Sequence, residues 1–375
     1  MKKIIVLNLL LITLFVCLKG EIKFRGDARV RPRLDQRFDQ NGKTYQDFYY
    51  LYWVRLWMDA ELEDGWYFTT KLAADGPSSF ISKFGGPTYD GIKSWTGENA
   101  VHSGHRGAIR FNEAHFGRKT SRFGFSMGIL PFNALAEPEF DLHFYPVSKS
   151  DIPYLILNNN SAAGFRGYYK LGPGKLRATV TVDNNTGNRE EVDLRDQYSS
   201  FLNYDFKLGE FKLRPSFIAS LGAENRASPL TAGLNVETPQ YFGFNFQAGG
   251  YFTSQQADIA DPASNSGYLG LDDFSAQDSA NYTGKYSGPG FHVQLSRKIG
   301  PGSFVGWVDH KIIDMDGVND SKNTTYIWLK YNYPVYKSKS GSFWVGPTFR
   351  QIRQTFGGIE YIRNKIEVTL HFNFK

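Results

Sequence analysis

Apolar and polar residues alternate with a period of two along most of this chain. In residues 21–34, EIKFRGDARVRPRL, every second residue from Lys23 to Arg33 is charged, and the residues between them are mostly apolar. A period of two predicts a β-strand with one apolar and one polar face. About sixteen such stretches occur, and no long stretch has helical periodicity. The chain is therefore predicted to be all-β.

The connections between the predicted strands alternate between short and long. Short ones such as GPG (172–174), GE (209–210) and GPG (300–302) have the composition of hairpin turns. The long ones include residues 76–107, 131–161 and 253–289. In an up-and-down barrel, alternate connections share one end. The pattern thus predicts an antiparallel barrel with short periplasmic turns and long extracellular loops.

Charge is confined to one face of the predicted strands. In the seven strands with the clearest alternation, the polar faces carry fifteen basic and six acidic residues, and the apolar faces carry none. A lipid-facing charge costs about 2–4 kcal/mol near the bilayer midplane, so a membrane barrel excludes it. Aromatic residues near the strand ends, such as Phe48, Tyr50 and Trp66, are typical of interfacial belts. These features favour a transmembrane barrel over a soluble sandwich.

The N-terminus, MKKIIVLNLLLITLFVCLKG, has the layout of a secretory signal peptide. Cleavage after Gly20 would remove the only cysteine, Cys17, and lower the formal net charge from +6 to +3. A lipoprotein signal ending at Cys17 is the rival interpretation. The prediction is a signal peptide over residues 1–20 and a barrel over residues 21–375, located in the outer membrane of a Gram-negative bacterium. The low charge and the export both argue against a nucleic-acid partner.

The last predicted strand, NKIEVTLHFNF, ends on Phe374 with Lys375 after it, and it resembles the assembly signal of outer-membrane barrels. Over the whole mature chain, the strand number and loop pattern resemble the sixteen-stranded Gram-negative porins. RGDARVRPRL and GILPFN resemble most closely the phosphate-selective group. The resemblance implies a water-filled channel, a homotrimer contacting lipid and lipopolysaccharide, and a loop 76–107 that reaches a neighbouring subunit. It also implies that loop 132–161, with Glu137, Glu139 and Asp141, narrows the lumen.

The basic residues of the polar faces are the candidate functional residues. The predicted pore-lining residues are Arg25, Arg29, Arg31, Arg33, Arg55, Lys71, Arg166, Arg177, Arg214 and Lys365. Because rings of Arg and Lys select anions, passive diffusion of small hydrophilic solutes with a preference for anions, phosphate-like ones among them, is expected. The alternative is that these arginines only pair with acidic residues such as Asp27 and Asp59.

Other chemistry has little support in the sequence. No nucleophile, base and carboxylate are marked as converging, so no enzyme activity, catalytic residue or cofactor is predicted. The segment DMDGVND (314–320) lacks the full ligand spacing of a calcium loop, and no metal site is predicted. Two other functions stay open: a barrel specific for sugars or lipids, with Trp53 and Trp57 as an aromatic track, and a secreted β-rich binding or adhesion protein.

Two local features conflict with simple alternation. Pro32, Pro215 and Pro347 lie inside predicted strands, where each is expected to need a bulge or a strand end. The strand 108–118 changes phase between Phe111 and Glu113. A β-bulge near Asn112 would restore the pattern.

Overall fold

The computed structural model describes residues 21–38, 44–74, 82–84, 109–132, 161–184, 197–222, 228–256 and 283–375. These residues form almost only β-strands, as the alternation predicts. The strands are β1 (Glu21–Phe38), β2 (Thr44–Glu61), β3 (Trp66–Ala74), β4 (Ser82–Phe84), β5 (Ile109–Lys119), β6 (Phe123–Pro131), β7 (Ser161–Leu171), β8 (Gly174–Asn184), β9 (Gln197–Leu208), β10 (Phe211–Gly222), β11 (Leu230–Glu237), β12 (Phe244–Gln255), β13 (Tyr286–Ile299), β14 (Gly302–Met315), β15 (Lys322–Lys337), β16 (Gly341–Phe356) and β17 (Ile359–Phe374). A single 3-10 turn, Glu63–Gly65, completes the regular structure of the described residues.

The strands form one closed antiparallel barrel. Apart from β3, β4 and β5, each strand pairs with its sequence neighbours, and β1 pairs with β17 to close the sheet. The strand β3 pairs with β2 and β5. The three-residue β4 pairs with β2 beyond the end of β3, so β3 and β4 share one place in the wall. The wall therefore has sixteen strands, as predicted. Within the described ranges, no helix is both long and apolar enough to cross a bilayer.

The predicted short turns all lie at one end of the barrel, which we call the short-turn rim. Both ends of the barrel chain, Glu21 and Phe374, are also found there, because β1 begins opposite Glu61 and β17 ends opposite Gly341. Gly209 and Gly300 have φ angles of 60° and 57°, which a tight hairpin turn requires and glycine adopts without strain. The opposite end has the long connections, together with short ones at 39–43, 316–321 and 357–358.

Aromatic rings cover glycines on the outer face near the short-turn rim. The Phe374 ring lies where a side chain at Gly26 would be, across the closing β1–β17 pair. Tyr204 covers Gly174 and Tyr331 covers Gly302 in the same way. Their hydroxyls donate to the carbonyls of Leu171 (2.7 Å) and Ile299 (2.8 Å), the last residues before the two turns. Each tyrosine thus ties its strand to the preceding hairpin.

The β-bulge expected near Asn112 is present. Lys71 pairs with Glu113 and Leu72 with Phe111, so Asn112 is the extra residue of β5. Ile109 and Phe111 are 63% and 61% exposed on the outer face, whereas Glu113 is buried on the interior face. The bulge therefore allows a strand with a phase error to keep its apolar residues outside and its carboxylate inside.

Deleting Asn112 is expected to preserve folding, because IRFEAHF then alternates without interruption. Deleting Ala114 from the same strand should fail, since alternation would then require Glu113 on the outer face or His115 outside and Phe116 inside. Heat-modifiable migration in detergent gels measures the folded fraction of each variant. Equal folding of the two deletions would show that the bulge does not set the strand phase.

The expectation that each strand proline needs a bulge or a strand end is wrong. Pairing of β1 with β17 stops at Arg31 and Pro32 and resumes at Arg33 in unchanged register. The same interruption without a register shift occurs at Pro215 between β9 and β10 and at Pro347 between β15 and β16. Each proline lacks an N–H for one ladder only, and the pairing with the other neighbouring strand continues through it.

Strand length divides the barrel into two sectors. The strands β13–β17, β1 and β2 have 14–18 residues and form what we call the tall sector. From β5 to β12 the strands have 8–12 residues. At the end opposite the short-turn rim, the tall sector has the short connections 39–43, 316–321 and 357–358. The strands β5–β12, which we call the low sector, have the connections 132–160, 185–196 and 223–229 at that end.

Candidate functional site

The interior of the barrel is the candidate functional site, because the polar faces of the strands meet there. On β1 the even-numbered Phe24 and Val30 are 68% and 41% exposed on the outer face, while the odd-numbered Arg31, Arg33 and Asp35 are buried inside. The other strands divide in the same way. Charged and polar side chains thus cover an interior surface that apolar residues surround.

Glu367 on β17 is the centre of the first interior ion-pair network. Arg33 donates to its carboxylate at 2.8 Å, Arg31 lies 3.6 Å from it, and Arg350 on β16 forms a further ion pair. The Glu367 side chain is fully buried. Arg31 also donates to the Thr369 hydroxyl at 3.1 Å. One carboxylate on β17 therefore holds three guanidinium groups, two from β1 and one from β16.

Asp27 on β1 is the centre of a second network, one strand away. Arg55 on β2 donates to both carboxylate oxygens, at 2.8 and 2.5 Å, and Arg29 lies 3.3 Å away. The Nε2 atom of His371 is 2.9 Å from the same carboxylate. This bidentate geometry is the strongest form of the arginine–carboxylate pair, and it fixes the Arg55 guanidinium in place.

Two further pairs extend the charged wall. Arg363 donates to both oxygens of Asp35, at 2.7 and 2.5 Å, and Lys71 forms an ion pair with Glu113. Lys365 is 3% exposed and lies on the same interior face of β17. The arrangement pairs residues of β1 with residues more than three hundred positions later in the sequence.

Together these groups form what we call the seam cluster, which follows β16, β17, β1, β2, β3 and β5. Its cations are Arg29, Arg31, Arg33, Arg55, Lys71, Arg350, Arg363 and Lys365, and its anions are Asp27, Asp35, Glu113 and Glu367. Eight positive charges face four negative ones. The acidic residues therefore neutralise half of the positive charge of the seam cluster. The alternative, that the arginines pair with acidic residues, is correct for that half of the charge.

The remaining predicted residues lie elsewhere on the interior face. Arg25 is half-exposed near the short-turn rim and donates to Asp59 at 2.8 Å. Arg166 on β7 donates to Thr179 at 3.3 Å, and its guanidinium lies 4.7 Å from the centre of the Phe132 ring. Arg177 and Arg214 both contact Asp205, at 2.9 and 2.5 Å. The candidate loop acids Glu137, Glu139 and Asp141 lie outside the described residues.

Trp57 lies among cations on the interior face and does not form an apolar track. The centre of its ring is 4.6 Å from the Arg25 guanidinium carbon, 4.8 Å from that of Arg55 and 5.9 Å from the Lys71 ammonium. Cation–π contacts of this kind hold the cations in place on the wall. The side chain of Trp53 lies outside the described residues.

Sequence reasoning missed an apolar patch inside the barrel. Trp307 and Trp328 lie opposite each other on β14 and β15 with ring centres 3.9 Å apart, and Tyr326 lies 6.2 Å from Trp307. All three are buried. The alternation of each strand already predicts that these three residues face the interior. This prediction was not made because aromatic residues in membrane strands are expected on the outer face.

The acidic segment 314–320 acts as a hydrogen-bonded connection. Asp314 accepts from Ser321, and Asp316 accepts from Thr283 at 2.9 Å. Asp320 accepts from the backbone N–H of Gly357 at 2.5 Å, which links the β14–β15 loop to the β16–β17 turn. Across the described ranges, no three His, Asp or Glu residues are grouped as metal ligands.

Comparison with solved structures identifies the fold. The barrel is similar to an anion-selective porin from Comamonas acidovorans, with a TM-score of 0.55, 9% identity, and coverage of 94% of this chain and 100% of that one. It is similar to the outer membrane channel DcaP of Acinetobacter baumannii, with a TM-score of 0.54, 11% identity and coverage of 95% and 97%. It is also similar to the trimer form of OmpT, an outer membrane protein of Vibrio cholerae, with a TM-score of 0.51 and 11% identity. That match covers 95% of this chain and 99% of that one.

At these identities the similarity is one of fold. No protein-family model matches the chain. No curated protein matches it either. The barrel architecture is shared with porins and outer-membrane channels over nearly the whole chain.

Proposed function

We propose that this protein is an outer-membrane porin that lets small hydrophilic solutes diffuse passively and prefers anions. The observation that carries the proposal is the seam cluster, in which eight cations face four anions on the interior of a closed barrel. A wall of low dielectric concentrates the field of such charges on the solute path. Anions would then be enriched in the channel and cations depleted.

The outer face supports placement in a membrane. Large apolar side chains are exposed there on most strands, including Val180, Leu202 and Phe217. In water so much exposed apolar surface would drive association, whereas lipid accommodates it. The proposal therefore includes contacts with lipid and lipopolysaccharide, the short-turn rim in the periplasm, and a signal peptide over residues 1–20. A homotrimer is proposed as well, since one protein of similar fold is described as a trimer.

The ten predicted residues are proposed as pore-lining groups with different roles. Arg29, Arg31, Arg33, Arg55, Lys71 and Lys365 belong to the seam cluster, and Arg25, Arg166, Arg177 and Arg214 extend the basic wall beyond it. Loop 132–161, with Glu137, Glu139 and Asp141, is proposed as the constriction. Selectivity within the anions, including the phosphate preference suggested by the resemblance, depends on this narrow part of the path.

Single-channel recording in a planar bilayer tests the proposal. The purified protein is expected to give stepwise conductance, and a salt gradient should give a reversal potential of the sign for anion preference. A cation-selective channel would contradict the proposed role of the seam cluster. Folded protein that gives no conductance would favour the secreted binding protein, and conductance that one class of sugar or lipid blocks would favour a specific barrel.

A further inference from the structure

A basic patch lies on the outer face of the barrel, at the short-turn rim. The neighbouring strands β3, β5 and β6 place Trp66, Arg118 and Phe125 in one register row, with the arginine between the two aromatic residues. The row faces outward, because the exposed Phe68 and Phe116 form the next outward pair on β3 and β5. An arginine thus belongs to the aromatic belt of the surface that the proposed membrane placement turns toward lipid.

Arg122, in the turn between β5 and β6, brings a second guanidinium to the same rim. It lies 5.3 Å from the centre of the Tyr169 ring, and Tyr169 lies opposite Phe123 on the outer face. The backbone carbonyl of Arg122 accepts from the Lys170 N–H at 2.7 Å, which ties the turn to β7. Arg122 precedes Phe125 by three residues, so it is at most about 10 Å from the register row along the strand direction. Arg118 and Arg122 therefore belong to one patch.

Neither guanidinium has an acidic partner among the described residues. Arg118 donates through Nε to the backbone carbonyl of Asp64 at 3.0 Å and lies 5.8 Å from the centre of the Trp66 ring. Within the described ranges, no hydrogen bond reaches the Arg122 guanidinium. The arginines of the seam cluster, in contrast, contact carboxylates. A guanidinium has several N–H donors, so most of those on Arg118 and Arg122 are available to a ligand from outside the chain.

We infer that this patch binds the phosphate of an anionic phospholipid in the periplasmic leaflet. Arginine forks match phosphate oxygens in geometry, and aromatic rings at a membrane interface lie at the level of the lipid headgroups. Above the arginines, Phe165 stacks on Phe125 with ring centres 6.2 Å apart, and Met127 is exposed beside them. This apolar surface would contact the acyl chains. A soluble phosphate would use the guanidinium groups alone, so the apolar surface favours a lipid.

The inference rests on the membrane placement that is part of the proposed function. It requires neither conduction nor a preference for anions, because the patch lies on the outer face and the seam cluster on the inner one. Its success or failure is therefore separable from that of the channel.

Native mass spectrometry of the detergent-folded protein with phosphatidylglycerol tests the inference at one fixed salt concentration. Phosphatidylglycerol should bind more tightly than phosphatidylcholine, whose choline cation offsets the phosphate charge. The Arg118→Ser/Arg122→Ser variant should raise the Kd for phosphatidylglycerol at least about tenfold, because charge-assisted hydrogen bonds account for a factor of that order. The Arg118→Lys/Arg122→Lys variant should give an intermediate Kd, since it keeps the charge and removes the forks. Heat-modifiable migration shows that each variant is folded.

The matched control is Arg297→Ser/Lys298→Ser, which removes the same charge from the same rim. Arg297 also lies on the outer face against an aromatic ring, 4.7 Å from the centre of Phe244, but the described parts of β12, β13 and β14 hold no second arginine. The Kd of this variant should stay within about twofold of the parent value, because exposed charges beyond a Debye length are screened.

Equal losses in the two serine variants would replace the site with a general attraction of the rim for anionic lipid and overturn the inference. Glycerol phosphate that binds as tightly as the lipid would also overturn it, since the apolar surface would then take no part. A conducting channel that does not bind phosphatidylglycerol would overturn the inference and leave the porin intact. Binding that depends on the two arginines in a protein without conductance would support the site and contradict the porin alone.

Discussion

Replacing Glu367 with Gln is expected to destabilise the folded barrel by about 3–5 kcal/mol, the cost of breaking a buried ion pair from one side. Glu367 is the shared partner of Arg31, Arg33 and Arg350. The amide keeps the shape of the side chain but leaves three buried guanidinium groups without this carboxylate. Urea titration of folding in lipid or detergent measures the free energy of unfolding.

Glu360→Gln on the same strand is the control for this variant. Glu360 pairs with Arg353, and the two side chains are 41% and 58% exposed. An exposed pair contributes about 0–1 kcal/mol, so the same change of charge should cost little there. Similar losses in both variants would show that burial of the network does not decide its energy. The Glu367→Gln channel should also prefer anions more strongly, because one of four seam anions is lost.

Replacing Arg29, Arg31 and Arg33 together with Ser is expected to abolish most of the anion preference. The seam cluster would then hold five cations against four anions, close to neutrality. A field of several kT falls with the charge that produces it, so the ratio of anion to cation permeability should drop roughly three- to tenfold. Reversal potentials in a salt gradient measure this ratio.

A triple variant at the short-turn rim separates the effect of the seam cluster on selectivity from the effect of the net charge of the chain. Lys119, Lys298 and Lys339 are exposed and lie outside the seam cluster. Their replacement with Ser removes the same charge from the chain and should change the permeability ratio much less. If the two triple variants behave alike, net charge rather than the seam cluster governs selectivity.

The alternation of apolar and polar residues predicted much of the fold, because the face on which a residue lies is decided within its own strand. The phase change at Asn112 even located a bulge, since facing has only two states and one extra residue switches between them. The prolines were predicted less well. The sequence shows that Pro32 cannot donate, but not that the ladder with β17 can stop there while the ladder with β2 continues.

The ion-pair networks were beyond the sequence for a different reason. Alternation places Arg33 and Glu367 on interior faces, but their contact depends on the register of the closing strand pair, which links residues more than three hundred positions apart. Unpaired arginines and arginines sharing a carboxylate produce the same period-two pattern. The sequence therefore identified the wall and its sign, and only the register shows that acids offset half of the seam charge.

The uneven height of the barrel has a consequence for how this protein can evolve. In the proposed orientation, the tall sector meets the outside with short connections, and the seam cluster lies mainly on its strands. The long connections emerge from the low sector and from β3, and loops at a protein surface tolerate insertions and changes of sequence. Those segments can change length and sequence without shifting the register that joins Arg33 to Glu367. In the proposed orientation, the variable outer surface and the seam cluster thus belong to different parts of one chain.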